Sequence, residues 1–254
     1  MMNQRSRQLV LFLAVTGLLA ALTPACKPKI SEAEALLQQS IDYHDPEGAW
    51  SSKPIELTVM VRLSERLAAD RGYESRTDRI NFDNGNDTFR YQSVKGDARI
   101  EIIGEGDELL ALLNGSSEIS DEDRATHSLA ANGLPRWRDY FSYMFGMPMK
   151  LRDPGTYLDP TVKRMTFEDR GVLALRVTYD EEVGSDVWDF FMDPDTKALV
   201  GCRFFHDESI PDGEFLLFDG EVEGPHGLLL PRNRYWRMNV DGEYIALDEI
   251  LSID

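Results

Sequence analysis

Short apolar/polar alternations separated by tight turns dominate this chain from residue 50 onward, and they restrict its fold more than any other feature. In the first, Ile55, Leu57, Val59, Val61 and Leu63 fall on one face, and Glu56, Thr58, Arg62 and Ser64 on the other. A period of two is that of a half-buried strand. The next segments, 79–82 and 88–94, flank Asp83-Asn84-Gly85-Asn86. Lys95-Gly96-Asp97 leads into 98–103, and Glu105-Gly106-Asp107 into 108–113. Turns this short join antiparallel neighbours, because a parallel crossover needs a dozen or more residues. The rhythm resumes near Val162 and continues through 173–179, 187–192, 198–205, 214–222, 228–240 and 243–253. Asp193-Pro194-Asp195-Thr196-Lys197 supplies type I turn chemistry, and Asp241-Gly242 is a hairpin signal. About eleven strands in this order predict an antiparallel sheet in an α+β domain.

Helices interrupt the pattern twice. Ser31-Glu32-Ala33-Glu34 is a capping box, followed by Leu37, Ile41 and His44 at helical spacing. Asp45-Pro46-Glu47-Gly48 stops that helix, because proline disfavours helix before it and glycine turns the chain. Ser120-Asp121-Glu122-Asp123 reads as a second start, and 135–145 as a helix carrying Trp137, Tyr140, Phe141, Met144 and Phe145. Gly146 to Leu151 reads as a loop.

The first 25 residues have a different character. Arg5 and Arg7 precede an apolar run from Leu9 to Leu22, and small residues lead to Cys26. This is the pattern of a bacterial secretory signal peptide, and the run is short for a membrane span. Two cleavage readings stand. Either Cys26 is a lipidated cysteine after Thr23-Pro24-Ala25, or those three residues form an ordinary small-x-small site. Residues 26–30 then form the anchor and tether, and 31–254 the folded domain. If Cys26 is lipidated, Lys27 rather than the aspartate associated with inner-membrane retention follows it, which favours the periplasmic side of the outer membrane; a soluble periplasmic or secreted form is the alternative. Cys202, in the apolar run 199–202, reads as a small packed hydrophobe, with a Cys26–Cys202 disulfide as the weaker reading.

Charge excludes one class of partner. The chain has 45 acidic and 27 basic residues and a formal charge of −18. Such a surface repels nucleic-acid phosphates and anionic head groups.

Four stretches carry a family resemblance: 41–50 (IDYHDPEGAW), 146–151 (GMPMKL), 187–194 (VWDFFMDP) and 230–236 (LPRNRYW). With the element order, they make the chain similar to the lipoprotein-carrier superfamily of LolA and LolB type. More closely, the chain resembles a group of exported bacterial proteins known only as lipoprotein-sorting-like. The resemblance implies an incomplete antiparallel barrel whose helices close an apolar cavity.

The residues that would line such a cavity are read from strand parity and the aromatic helix. They are Tyr140, Phe141, Met144 and Phe145 on the helix, Trp188, Phe190 and Met192 on one strand, and Trp236 and Met238 on another. An acyl chain needs a wall with few charges, each buried methylene contributing about 0.8 kcal/mol. The competing reading is a filled core, since aromatic residues usually pack. The first expectation is therefore a lipid-anchored protein binding a hydrophobic or lipidated ligand without a cofactor. The second is a structural or interaction lipoprotein with an unspecified protein partner. The third is a metal-dependent hydrolase using His44-Asp45 and His206-Asp207-Glu208, which lack the close spacing of metal motifs. No nucleophile elbow or phosphate loop is present.

Overall fold

A computed structural model describes residues 30–210 and 212–254. The signal segment, Cys26 and its pairing or lipidation lie outside the described residues. The chain begins with α1 (Glu32–His44), capped as its sequence predicts. The Ser31 hydroxyl accepts from the Glu34 N–H at 3.1 Å, and the Glu34 carboxylate accepts from the Ser31 N–H at 2.8 Å. Ala33, Leu36, Leu37, Ser40 and His44 form its buried face. Asp45 ends α1 and starts α2 (Ala49–Ser52), its carboxylate accepting from the N–H groups of Ala49 at 2.6 Å and Trp50 at 3.1 Å. Those donors have no partner inside so short a helix, so one side chain terminates one element and caps the next.

The strands are β1 (Pro54–Leu63), β2 (Ser75–Asp83), β3 (Thr88–Lys95), β4 (Ala98–Glu105), β5 (Glu108–Leu113), β6 (Thr156–Leu158), β7 (Lys163–Phe167), β8 (Arg170–Tyr179), β9 (Val187–Met192), β10 (Leu199–Phe205), β11 (Glu214–Glu223), β12 (Leu229–Met238) and β13 (Tyr244–Ile253). They form one open antiparallel sheet in the order β5-β4-β3-β2-β1-β13-β12-β11-β10-β9-β8-β6, with β7 also on β8. The expected α+β antiparallel class is what the structure has. Two meanders, β1 to β5 and β8 to β13, meet at the β1–β13 pair, where Leu57 faces Ile253 and Leu63 faces Ala246. A bulge between Thr58 and Val59 interrupts this seam.

Thirteen strands replace the expected eleven. The additional ones are short pieces sharing one edge of β8: β6 against Val177 to Tyr179, and β7 against Arg170 to Ala174. Only Phe167 of β7 is buried, so no alternation marks that strand. Helix α3 (Glu65–Arg71) is also additional. It buries no residue and is specified by its ends alone, Ser64 as N-cap and Gly72 at φ 77°. The segment 146–151, read as a loop, includes a 3₁₀ turn at Met149–Arg152. The acidic start at Ser120 becomes the short α4 (Asp121–Thr126), and the aromatic stretch becomes α5 (Leu134–Gly146).

Most of the core lies on the sheet face that α1, α2 and α5 cover. A smaller cluster of Phe167, Val172, Ala174, Phe191, Val200 and Phe215 occupies the other face. Helix α5 crosses the inner face between the two meanders. On one side Phe141 stacks on Tyr91 of β3, with ring centroids 4.8 Å apart. On the other, Tyr143 meets Trp188 of β9 edge-on at 5.3 Å. The C-terminal end of α5 packs on α2: a Cβ at Gly146 would lie 2.5 Å from the Trp50 ring, so only glycine fits this approach.

His44 fixes α1 to the second meander. Its Nδ1–H donates to the Leu229 carbonyl at 2.6 Å, and its Nε2 accepts from the Leu199 N–H at 2.8 Å. The ring is fully buried, and burial holds its pKa below 6.5. The unfolded chain therefore takes up a proton at His44 more readily than the folded one. The stability this group contributes is whole above pH 6.5 and is lost as pH falls toward the lower folded value. His44→Asn keeps a donor and an acceptor but does not titrate. It is expected to lower the unfolding free energy at pH 7.5 by about 1–3 kcal/mol. It is also expected to flatten the loss of stability between pH 7 and 5, measured by urea denaturation at each pH.

Candidate functional site

The inner face of the sheet changes character along the strands. At the end covered by α1 and α2 it is apolar and filled. Phe190 and Met192 of β9 are fully buried, and Phe141, Met144 and Phe145 of α5 pack against them in the same core. Trp236 of β12 is also buried, its indole N–H donating to Asp248 at 2.8 Å. Trp188 and Met238 are half-buried. Of the nine predicted wall residues, Met144, Phe145, Phe190, Met192 and Trp236 therefore sit in packed core. Tyr140, Phe141 and Trp188 border open pockets, and Met238 lies at the far end of β12.

Tyr140 marks where packing stops. It is 47% exposed, and its ring meets Phe141 edge-on with centroids 5.2 Å apart. Asp248 is half-buried, and burial raises its carboxyl pKa. Pockets of about 570 and 690 Å³ flank α5 here, and Tyr140 lines both. Both volumes are in the range of small-ligand sites.

Three charged residues of the inner face, Arg234, Asp78 and Asp248, were not among the predicted site residues. Arg234 is 1% exposed and has no carboxylate within 4 Å among the described residues. Its Nη1 donates to the Pro231 carbonyl at 2.7 Å, its Nε has no partner, and its guanidinium lies 4.6 Å from the Phe145 ring and 5.6 Å from that of Phe218. Burial pushes its pKa down to about 10. Asp78, buried on β2, accepts from both Arg76 and the Tyr91 hydroxyl. The sequence carried a signal for each, because Arg234 shares the parity of Trp236 and Met238, Asp78 that of Ile80 and Phe82, and Asp248 that of Ala246 and Ile250.

The metal reading fails at His44. Main-chain groups occupy both of its ring nitrogens, leaving no lone pair for an ion. His206 is exposed and pairs with Asp186 at 2.8 Å. Among the described residues, no three His, Cys, Asp or Glu side chains gather as a metal site. Cys202 is fully buried, and burial pushes its thiol pKa up, so it packs as a hydrophobe.

Residues 8–248 match the sequence model of a family described as a family of unknown function, DUF6503. The chain belongs to DUF6503. No curated protein matches it. Among solved structures, this DUF6503 chain is similar to a Vibrio parahaemolyticus protein provisionally described as an outer membrane lipoprotein-sorting protein domain. The TM-score is 0.47 at 12% identity, over 87% of this chain and 92% of that one. It is similar at the same TM-score and 10% identity to a DUF1329 protein from Desulfovibrio piger, over 88% and 92% of the two chains. A third match is MucB solved in complex with MucA(peri), at TM-score 0.25 and 13% identity, spanning 88% of this chain and 55% of that one.

Arg234 gives a direct test of what the DUF6503 inner face costs. Removing a buried charge together with its polar atoms is often neutral or stabilising, whereas stranding its partner is not. Asp248 keeps its bond to Trp236 without Arg234. Arg234→Met is therefore expected to leave the thermal midpoint unchanged or raise it by a few degrees, measured by calorimetry.

Proposed function

We propose that this protein is an exported, lipid-anchored binding protein that takes a hydrophobic or lipidated ligand at the unfilled end of its half-barrel, without catalysis and without a cofactor. One observation carries the reading: pockets of about 570 and 690 Å³ flank α5 and share Tyr140, so the protein's own side chains leave the inner face unfilled there. Around it lie the apolar surfaces of Trp137 and Phe141 on one side and of Phe89 and Trp188 on the other. An acyl chain burying about six methylenes in this space contributes on the order of 5 kcal/mol, before the cost of immobilising it. The signal-like residues 1–25 and Cys26 support export and anchoring on the periplasmic side of the outer membrane. The first solved structure's description as a lipoprotein-sorting domain agrees with this kind of ligand.

The neutral fluorescent probe N-phenyl-1-naphthylamine is expected to bind the purified protein with micromolar affinity. Tyr140→Asp, which places a charge at a half-exposed residue lining both pockets, is expected to weaken that binding about tenfold with little change in thermal midpoint. Native mass spectrometry of protein taken from membranes should show copurified lipid. Absence of both probe binding and lipid would leave the filled-core, interaction-protein reading in place.

Anchoring has its own test. Cys26→Ala is expected to move the protein from the membrane to the soluble fraction. Unchanged membrane association would refute lipidation at that residue.

A further inference from the structure

The two pockets beside α5 differ in charge. The larger is lined by both signs, with Asp87, Asp139, Asp153 and Asp186 beside Arg138 and Lys150. The pocket of about 570 Å³ is lined by Arg71, Arg76, Lys95 and Arg136 and by no carboxylate. This occurs in a chain where acidic residues outnumber basic ones 45 to 27. It is formed by the end of α3, the start of β2, the β3–β4 turn, and the segment from the end of α4 into α5.

One of the four cations is already neutralised. Asp78 takes Arg76 through both carboxylate oxygens, at 2.9 and 3.0 Å. Arg71, Lys95 and Arg136 make no ion pair within 4 Å among the described residues. The Lys95 ammonium instead lies 4.5 Å from the Trp137 ring. Burial, then Arg76, opposed by Asp78, and then Arg71 push its pKa down to about 8. Three cations without an ion-pair partner among the described residues thus share one concavity whose lining holds no carboxylate, an arrangement that an entering anion relieves. The floor beneath is apolar, with Leu63, Leu67, Trp137 and Phe141 leading to Tyr140, which the two pockets share.

We propose that this pocket holds the anionic group, a phosphate or carboxylate, of an amphiphilic ligand whose apolar part runs across Trp137 and Phe141 toward Tyr140. The inference rests on the apolar-ligand reading above and adds the ligand's charge and orientation. Arginine and lysine suit such a group, through bidentate bonds and as a point charge respectively.

Isothermal titration of the purified protein with dihexanoyl phosphatidic acid, dihexanoyl phosphatidylcholine and inorganic phosphate tests it. The wild type is expected to bind the phosphatidic acid about tenfold more tightly than the phosphatidylcholine, and inorganic phosphate more weakly than either. Lys95→Gln with Arg136→Gln should abolish that preference while N-phenyl-1-naphthylamine binds as before. Arg164→Gln, on exposed β7, should change nothing. No preference in the wild type, or a preference that survives in the double variant, overturns the inference and leaves the apolar-ligand reading standing. Inorganic phosphate binding as tightly as the phosphatidic acid overturns it in favour of a free anion. Charge-dependent phosphate binding without any binding of the neutral probe removes the apolar-ligand reading, and the amphiphile with it.

Discussion

The pairing of β1 with β13 is the contact on which the architecture depends. Every other strand pair but one joins near neighbours in sequence, so each meander is locally determined. β6 reaches β8 over the short β7, which leaves the seam, among the described residues, as the only strand pairing between opposite ends of the domain. Without it there are two separate curved ribbons, each with an uncovered apolar face. With it, Leu57, Val59 and Val61 of β1 join Ala246 and Ile250 of β13 in one inner face, and α5 has something to cross. Loop closure over this distance costs chain entropy that no local hairpin repays. The return comes from the core it completes, together with helical ties such as His44, which binds α1 to β10 and β12.

The inner face is divided rather than uniform. Where α1 and α2 cover it, aromatic and aliphatic side chains fill the space. In the pockets beside α5 charged groups replace them, Arg71, Arg76, Lys95 and Arg136 in one and Asp139, Asp153, Asp186, Arg138 and Lys150 in the other. Arg234 stands between the two regions, dry and without an ion-pair partner, with its guanidinium against Phe145 and Phe218. A protein optimised only for a stable core has no use for that placement, because buried charge is costly unless paired. Charged groups are costly to bury unpaired, which disfavours closing those pockets into further core.

Much of this was legible in the sequence, and the failures have physical causes. Period-two alternation located the long strands because each presents one face to the core. It failed for β7, where four of five residues are exposed, and for β6, which is too short to show a period. Helix α3 escaped because nothing in it is buried, leaving only its caps to be read. Parity placed Phe190, Met192 and Trp236 correctly on the inner face. It carries no information on how far up that face packing extends, so it did not separate Phe190 in filled core from Trp188 at a pocket. Reading only apolar residues for a cavity also concealed Arg234, Asp78 and Asp248, which share strand faces with the hydrophobes that were read.

The close approach of Gly146 to Trp50 has a mechanical consequence. Helix α5 is clamped by packing at its C-terminal end, where Met144, Phe145 and Gly146 are buried. At its other end Leu134 is buried and Trp137 packs on Tyr91, with bonds from Trp137 to the Ser128 carbonyl at 3.0 Å and from Arg138 to the Gly106 carbonyl at 2.6 Å. Helix α5 is therefore a rod about 20 Å long whose seat is set at both ends. Any side chain larger than hydrogen at position 146 would lift it off Trp50, and the Tyr91 stack and the two pockets that share Tyr140 would have to shift with it. The width of the space beside Tyr140 is thus specified by a missing methyl group on the opposite end of the helix.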